Sequence, residues 1–155
     1  PYQWVESRYR LTRAVWEVMI EARNPASVLT KSPLLTRDID LMKELHEVAG
    51  FQASLSIPTL DEDAWRATEP HTPHPRKRIE AIAELSAAGI PVGVLVAPLV
   101  PGINDSPEQV EEIGRELNTR SPSWPAAPVA SACCWRASSP SAGTAWRSAA
   151  VTRRR

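Results

Sequence analysis

The feature that most constrains this chain is an alternation of helical and strand periods running from about residue 6 to residue 120. Leu11, Val15, Val18, Met19 and Ala22 recur at helical spacing, which predicts a helix over roughly 7–23 with those residues facing inward. Asn24-Pro25 stops it, and SVLTK (27–31) reads as a short buried strand. Thr36 is placed to cap the next helix, with Asp38 in its first turn. Ile39, Met42, Leu45, Val48 and Ala49 form that helix's apolar face, and Gly50 ends it. FQASLSI (51–57) is a second strand, followed by a long connecting segment, PTLDEDAWRATEPHTPH. A helix begins near Pro75, turns Ile79, Ile82 and Leu85 inward and ends at Gly89; PVGVLVA (91–97) is then a third strand. Ser106-Pro107-Glu108-Gln109 opens a last helix with capping-box spacing and proline at its first position. Val110, Ile113 and Leu117 are its buried stripe.

The order α-β-α-β-α-β-α places the chain in the α/β class, with right-handed crossovers and a parallel sheet. In such sheets and barrels, ligands bind at the carboxyl ends of the strands. Here those ends are Thr30-Lys31-Ser32, Ser56-Ile57-Pro58-Thr59 and the run from Pro98 to Asp105, all polar or rigid. The opposite turns, Asn24-Pro25, Ala49-Gly50 and Ala88-Gly89, are plain. The asymmetry assigns one end of the sheet to binding.

Residues 121–155 break the pattern. Residues 1–120 carry an excess of acidic side chains, whereas 121–155 carry five Arg and no Asp or Glu, so the formal net charge of zero averages two unlike regions. The tail is rich in Ala, Ser and Pro, contains three Trp, and lacks Leu and Ile. That composition cannot bury a periodic core. It reads either as a natural basic disordered tail or as out-of-frame translation of a GC-rich gene. The expected division is a folded unit at 1–120 and a disordered tail at 121–155.

Other function classes find little support. No apolar run approaches the roughly 18 residues needed to span a bilayer, and PYQWVESRYR is no signal peptide; the expected location is cytoplasmic. The adjacent Cys133 and Cys134 supply neither a disulfide framework nor a metal spacing. No G-x-G-x-x-G, Walker loop or G-x-S-x-G occurs. His71 and His74 lie in a proline-broken loop that does not fix two imidazoles as metal ligands, and His46 reads as a surface residue. Arg76-Lys77-Arg78 is a short basic run with no interleaved aromatic platform for nucleic acid.

Candidate site residues gather at the strand ends. Lys31 can bind a carboxylate or phosphate, form a Schiff base, or simply snorkel at the end of its strand. Ser54 and Ser56 share a side of the second strand, Thr59 lies just past its end, and their hydroxyls need partners in a ligand or in neighbouring backbone. Glu69 and Arg78 flank the start of the third helix and can pair with each other or reach a ligand.

The stretches PYQWVESRYRLTR, LTKS, SLSIPTLD, EPHTPHPRKRIEAIAELSAAGIPV and VLVAPLVPGIND, in this order, resemble the radical SAM enzymes related to spore photoproduct lyase. The resemblance covers about residues 1–118. It implies a partial (β/α)6, TIM-like barrel of parallel strands that binds S-adenosylmethionine and a [4Fe-4S] cluster, and lyase-like radical chemistry on a substrate such as a nucleic acid. By position, Lys31 would meet the methionine carboxylate, Ser56 the methionine or ribose, and Thr59 the same mouth. Arg78 would support that end of the site and Pro98 would back the adenine. Tyr2 and Gln3 would sit close to the substrate or the cofactor amine.

One departure is large. In this family three cysteines of a C-x-x-x-C-x-x-C loop hold the cluster, and no such motif occurs in these 155 residues. The expectation is therefore a fragment, its first strands lying upstream, that is inactive alone and has no metal ligands of its own. Two other readings stand beside it. One is a non-radical (β/α) barrel lyase using Lys31, and the other a non-catalytic module that contacts nucleic acid through the Arg-rich tail.

Overall fold

The computed structural model describes residues 1–120 and the backbone of residues 135 and 136. Three strands, β1 (Ala26–Thr30), β2 (Phe51–Ser56) and β3 (Val92–Leu95), lie side by side in sequence order and run parallel. Each crossover carries helix: α3 (Ile39–Val48) between β1 and β2, and α4 (Glu62–Thr68) with α5 (Pro75–Ala87) between β2 and β3. Ahead of β1 stand α1 (Glu6–Tyr9) and α2 (Leu11–Glu21), and α6 (Pro107–Arg120) follows β3. The parallel α/β arrangement is the one the alternation predicts.

Strand register explains how the core is made. Val28 aligns with Ala53, Thr30 with Leu55, and these in turn with Val92 and Val94. Alternation puts all six on one face, where Val28, Ala53, Leu55, Val92 and Val94 join a buried cluster with Met42, Leu45, Ile79, Ile82, Leu85, Ile113 and Leu117 from the helices. Burying each such aliphatic side chain stabilises the fold by roughly 1.5–3 kcal/mol before chain entropy is counted. The opposite face carries Leu29, Ser54, Ser56, Gly93 and Leu95, none of which belongs to that cluster. It mixes two leucines with serines and a glycine, and the leucines stand outside the core.

Four local features differ from the sequence-based expectations. The helix predicted over 7–23 is two pieces, broken at Arg10, whose φ of 51° is left-handed. Leu11, Val15 and Val18 are exposed, and the buried residue of α2 is Trp16, roughly a third of a turn away. Trp16 wins that position because its ring meets Phe51 edge-on at 5.2 Å while its indole N–H donates to the Tyr2 hydroxyl at 2.7 Å. Three valine- or leucine-sized groups offer no comparable partner on the sheet.

Thr36 caps nothing. A 3-10 helix spans Pro33–Asp38, Ser32 accepts the Leu34 N–H at its start, and α3 begins only at Ile39. Asp38 is consequently no surface acid in a first turn but a fully buried hub. It accepts from Arg37 Nε at 2.9 Å, Arg37 Nη2 at 2.8 Å, Arg13 Nη1 at 3.2 Å and the Tyr2 hydroxyl at 3.1 Å. Arg13 also grips Asp40 in a bidentate pair at 2.6 and 2.9 Å. These bonds fasten the N-terminal segment to α3.

The segment read as a long connection contains α4, started by the Asp61 carboxylate accepting the Ala64 N–H at 2.7 Å. Finally, Trp135–Arg136 forms a two-residue strand, β4, antiparallel to β3 at Gly93 and Val94. The sheet therefore has four strands, one of them antiparallel. The disorder expected for the rest of 121–155 lies outside the described residues. Among the described residues, no helix is long and apolar enough to cross a membrane.

Candidate functional site

A cavity of about 1270 Å³ opens at the carboxyl ends of the parallel strands. That is large even for a small-molecule site. Its walls come from the ends of all three strands, from the N-terminal residues 1–4 and from the loop at His71–Pro73. Leu29, Ser56 and Leu95 reach it from the sheet face that does not serve the core. Among the described residues, Lys31 is the one Lys or Arg that lines the cavity, and no Asp or Glu lines it.

Lys31 is not free at that wall. Its ammonium pairs with the Glu69 carboxylate, which is almost wholly buried at the C-terminal end of α4. Glu69 pairs in turn with Arg78 Nη2 at 2.8 Å. Arg78 is completely buried at the start of α5, and every nitrogen of its guanidinium has a partner. Nε donates to the Pro73 carbonyl at 2.9 Å, Nη1 to the Ser56 carbonyl at 2.8 Å, and Nη2 to the Thr72 hydroxyl at 2.8 Å. Burial pushes the Arg78 guanidinium below its ordinary range, against the hydrogen bond and charge of Glu69. The cluster thus ties the end of β1, the end of β2 and the α4–α5 loop into one unit. Glu69 and Arg78 pair, one of the two alternatives their spacing leaves open.

Ser56 faces the cavity from the end of β2, and its hydroxyl donates to the Ala97 carbonyl at 2.7 Å. The oxygen keeps acceptor capacity for a ligand. Pro98, after a cis peptide bond from Ala97, lines the same wall. The loop that follows is organised by Asn104, a buried residue of the polar Pro98–Asp105 run to which the sequence reading assigns no bracing role. Its amide donates to the Pro58 and Pro98 carbonyls, both at 2.9 Å, and its oxygen accepts the Val100 N–H at 2.6 Å. Asp105 accepts the Gly102 N–H at 2.8 Å, where Gly102 turns the chain at a φ of 77°. A Gly-Ile-Asn-Asp run after a proline pair is the signal that points to such a bracket.

The remaining predicted residues fall as follows. Tyr2 and Gln3 both line the cavity. The Tyr2 hydroxyl, however, is committed to Asp38 and Trp16, and burial raises its phenol well above the ordinary range. Gln3 is exposed. Thr59 is buried just past β2, where its hydroxyl accepts the Asp61 N–H at 3.1 Å, and it is not among the lining residues. Arg78 stands behind the wall rather than in it.

The two loop histidines separate. His71 lines the cavity at a φ of 68°, whereas His74 caps α5 and reaches Glu62 at 3.1 Å. The His46 ring nitrogen meets the Phe51 backbone at the surface. The basic run disperses too: Arg76 pairs with Glu116, Lys77 with Glu80, and Arg78 turns inward. Among the described residues, no three His, Cys, Asp or Glu side chains come together as a metal site.

Comparison with known proteins adds the relationship. A model of the radical SAM superfamily matches residues 4–117. An uncharacterized protein of Mycobacterium tuberculosis is 34% identical over 113 residues, which is 73% of this chain and 33% of the relative. An uncharacterized protein of Acidianus two-tailed virus is 34% identical over 112 residues, covering 70% of this chain and 36% of the relative. One from Methanocaldococcus jannaschii is 32% identical over 104 residues, covering 67% and 39%. The chain spans about a third of the length of the relatives it matches. No solved structure matches it significantly. With a parallel α/β sheet, a cavity at its strand ends and a family model covering most of its length, this chain belongs to the radical SAM superfamily.

Proposed function

We propose that this chain is the S-adenosylmethionine-binding middle part of a radical SAM enzyme of the spore photoproduct lyase-like type. In this reading its three parallel strands are staves of a (β/α)6 barrel completed by residues outside this chain. The observation that carries the proposal is that Lys31 and Ser56, from the ends of two neighbouring strands, line one cavity.

The residues present fit S-adenosylmethionine. The Lys31 ammonium suits a carboxylate, the Ser56 oxygen a ribose hydroxyl or the amino group, and Leu29, Leu95 and Pro98 offer apolar walls for an adenine. When bound, the cofactor supplies the sulfonium whose cleavage starts the family's chemistry. The chain's own part is to orient it and keep water from it.

The residues present do not fit the [4Fe-4S] cluster. Three separated thiolates are required, and the two cysteines of this chain are neighbours, Cys133 and Cys134. No radical step is assigned to this chain, which is expected to be inactive by itself. In the complete enzyme, the substrate under this reading is an organic molecule such as a nucleic acid.

The ion pair between Lys31 and Glu69 favours this reading over the Schiff-base lyase, in which Lys31 would have to leave that carboxylate to attack a carbonyl. The test compares this chain with one extended upstream, both reconstituted anaerobically with iron and sulfide. The expected result is S-adenosylmethionine binding by both, with cluster absorbance and 5′-deoxyadenosine from the extended protein alone. An extended protein that gives neither would sink the proposal.

A further inference from the structure

We propose that Glu69 is a positioning residue, holding the Lys31 ammonium at the cavity wall so that it meets the carboxylate of the bound ligand. The inference rests on the S-adenosylmethionine reading and adds to it a residue that touches no ligand itself.

The argument begins with what Glu69 costs. A buried carboxylate loses its hydration, and Glu69 recovers that cost only through the charges it meets. Both of its oxygens meet only cations, and among the described residues no neutral donor reaches them. Glu69 is therefore dedicated to two partners, one completely buried and one facing the cavity.

Arg78 alone does not account for the arrangement. It is anchored by three further bonds, to Pro73, Ser56 and Thr72. These make it a fixed cationic base that orients the carboxylate from behind. The carboxylate then reaches forward to Lys31, whose flexible four-carbon stem loses rotamer freedom when it is ordered. Ordering it before the ligand arrives lowers the cost of binding.

Charge leaves room for the ligand. Two cations share one carboxylate, so the trio retains a single positive charge, and its exposed member is Lys31, 37% accessible at the cavity wall. With no Asp or Glu among the described residues lining the cavity, an incoming carboxylate would be the missing counter-charge.

The test measures equilibrium binding of S-adenosylmethionine and of decarboxylated S-adenosylmethionine to the whole chain, and takes their affinity ratio. A destabilised fold lowers both affinities, whereas lost positioning lowers the ratio. The wild-type chain is expected to favour the carboxylate-bearing ligand about tenfold. Lys31→Met is expected to abolish the preference, and Glu69→Gln to reduce it to about twofold. Glu69→Asp keeps the charge but draws the carboxylate back by one methylene, and is expected to fall between. It also decides the matter should Glu69→Gln fail to fold.

A wild-type chain without preference would overturn the carboxylate role of Lys31, and this inference with it. A wild-type preference that is lost in Lys31→Met yet retained in full in the Glu69 variants, or raised in Glu69→Gln as the loss of a negative charge by itself would do, would overturn the positioning role alone.

Discussion

Asn104 donates its side-chain amide to the Pro58 carbonyl at 2.9 Å, joining the exits of two neighbouring strands across 46 residues of sequence. The same amide holds Pro98, and the side-chain oxygen holds Val100. With the Ser56 bond to Ala97, this one buried side chain holds the wall of the cavity beyond β3. Asn104→Ala takes that partner from the buried Pro58 carbonyl and releases Pro98 and Val100, and should cost about 2 kcal/mol. The urea midpoint is expected to fall with an unchanged slope, and limited proteolysis should cut first between residues 98 and 105. A variant with wild-type midpoint and protease resistance would show the bracket to be dispensable.

Asp38 predicts an acid response. Burial pushes its carboxyl up, but hydrogen bonds from Arg37, Arg13 and Tyr2 outweigh that and hold it below the ordinary range. A carboxylate depressed in the folded state contributes stability that is present above its unfolded value, about pH 4, and is lost as pH falls through its folded value. The urea midpoint should therefore drop steeply below about pH 4. Asp38→Asn should lower stability at neutral pH by about 2–3 kcal/mol and flatten the acid limb. An acid limb as steep as the wild type's would assign the response to other carboxylates.

The buried pair of Arg78 and Glu69 should be strongly coupled. Arg78→Met leaves an acid inside the protein with Lys31 as its remaining partner, at a cost of about 3–5 kcal/mol. Adding Glu69→Gln removes that stranded charge, so the double variant should be more stable than Arg78→Met alone. Chemical denaturation of the two single variants and the double variant measures the coupling directly. Simple additivity would refute it.

The two sides of α2 should respond differently. Leu11→Gln and Val18→Gln, on the exposed side, should each change stability by no more than about 0.5 kcal/mol. Trp16→Ala, on the buried side, should cost about 3–5 kcal/mol. Thermal melts of the three variants provide the check, and a costly Leu11→Gln would restore the inward face that sequence spacing suggests.

Much of the fold is legible because local signals agree. Gly50, Gly89 and the Ser106-Pro107 start mark boundaries that backbone sterics impose; the strand expected at 51–57 loses one residue, and that at 91–97 shortens to 92–95. What escaped is non-local. Periodicity weighs Val15 and Val18 much like Trp16, yet only Trp16 has a sheet aromatic and a buried tyrosine waiting for it. Asp38 reads as a helix-start acid until two arginines converge on it from different elements. At the site, Lys31 and Ser56 were readable from position at strand ends. The role of Asn104 depends on Pro58, which no local window contains.

The alternation along the strands has a consequence for how this protein can vary. Val28, Ala53, Leu55, Val92 and Val94 point to the helices, while Leu29, Ser54, Ser56, Gly93 and Leu95 point the other way. Alternate positions along each strand therefore answer to separate selections. A library scanned for folding should tolerate change at one set, and a library scanned for ligand discrimination should register it there. Two screens on the same fifteen strand residues would recover the sheet's register without a structure.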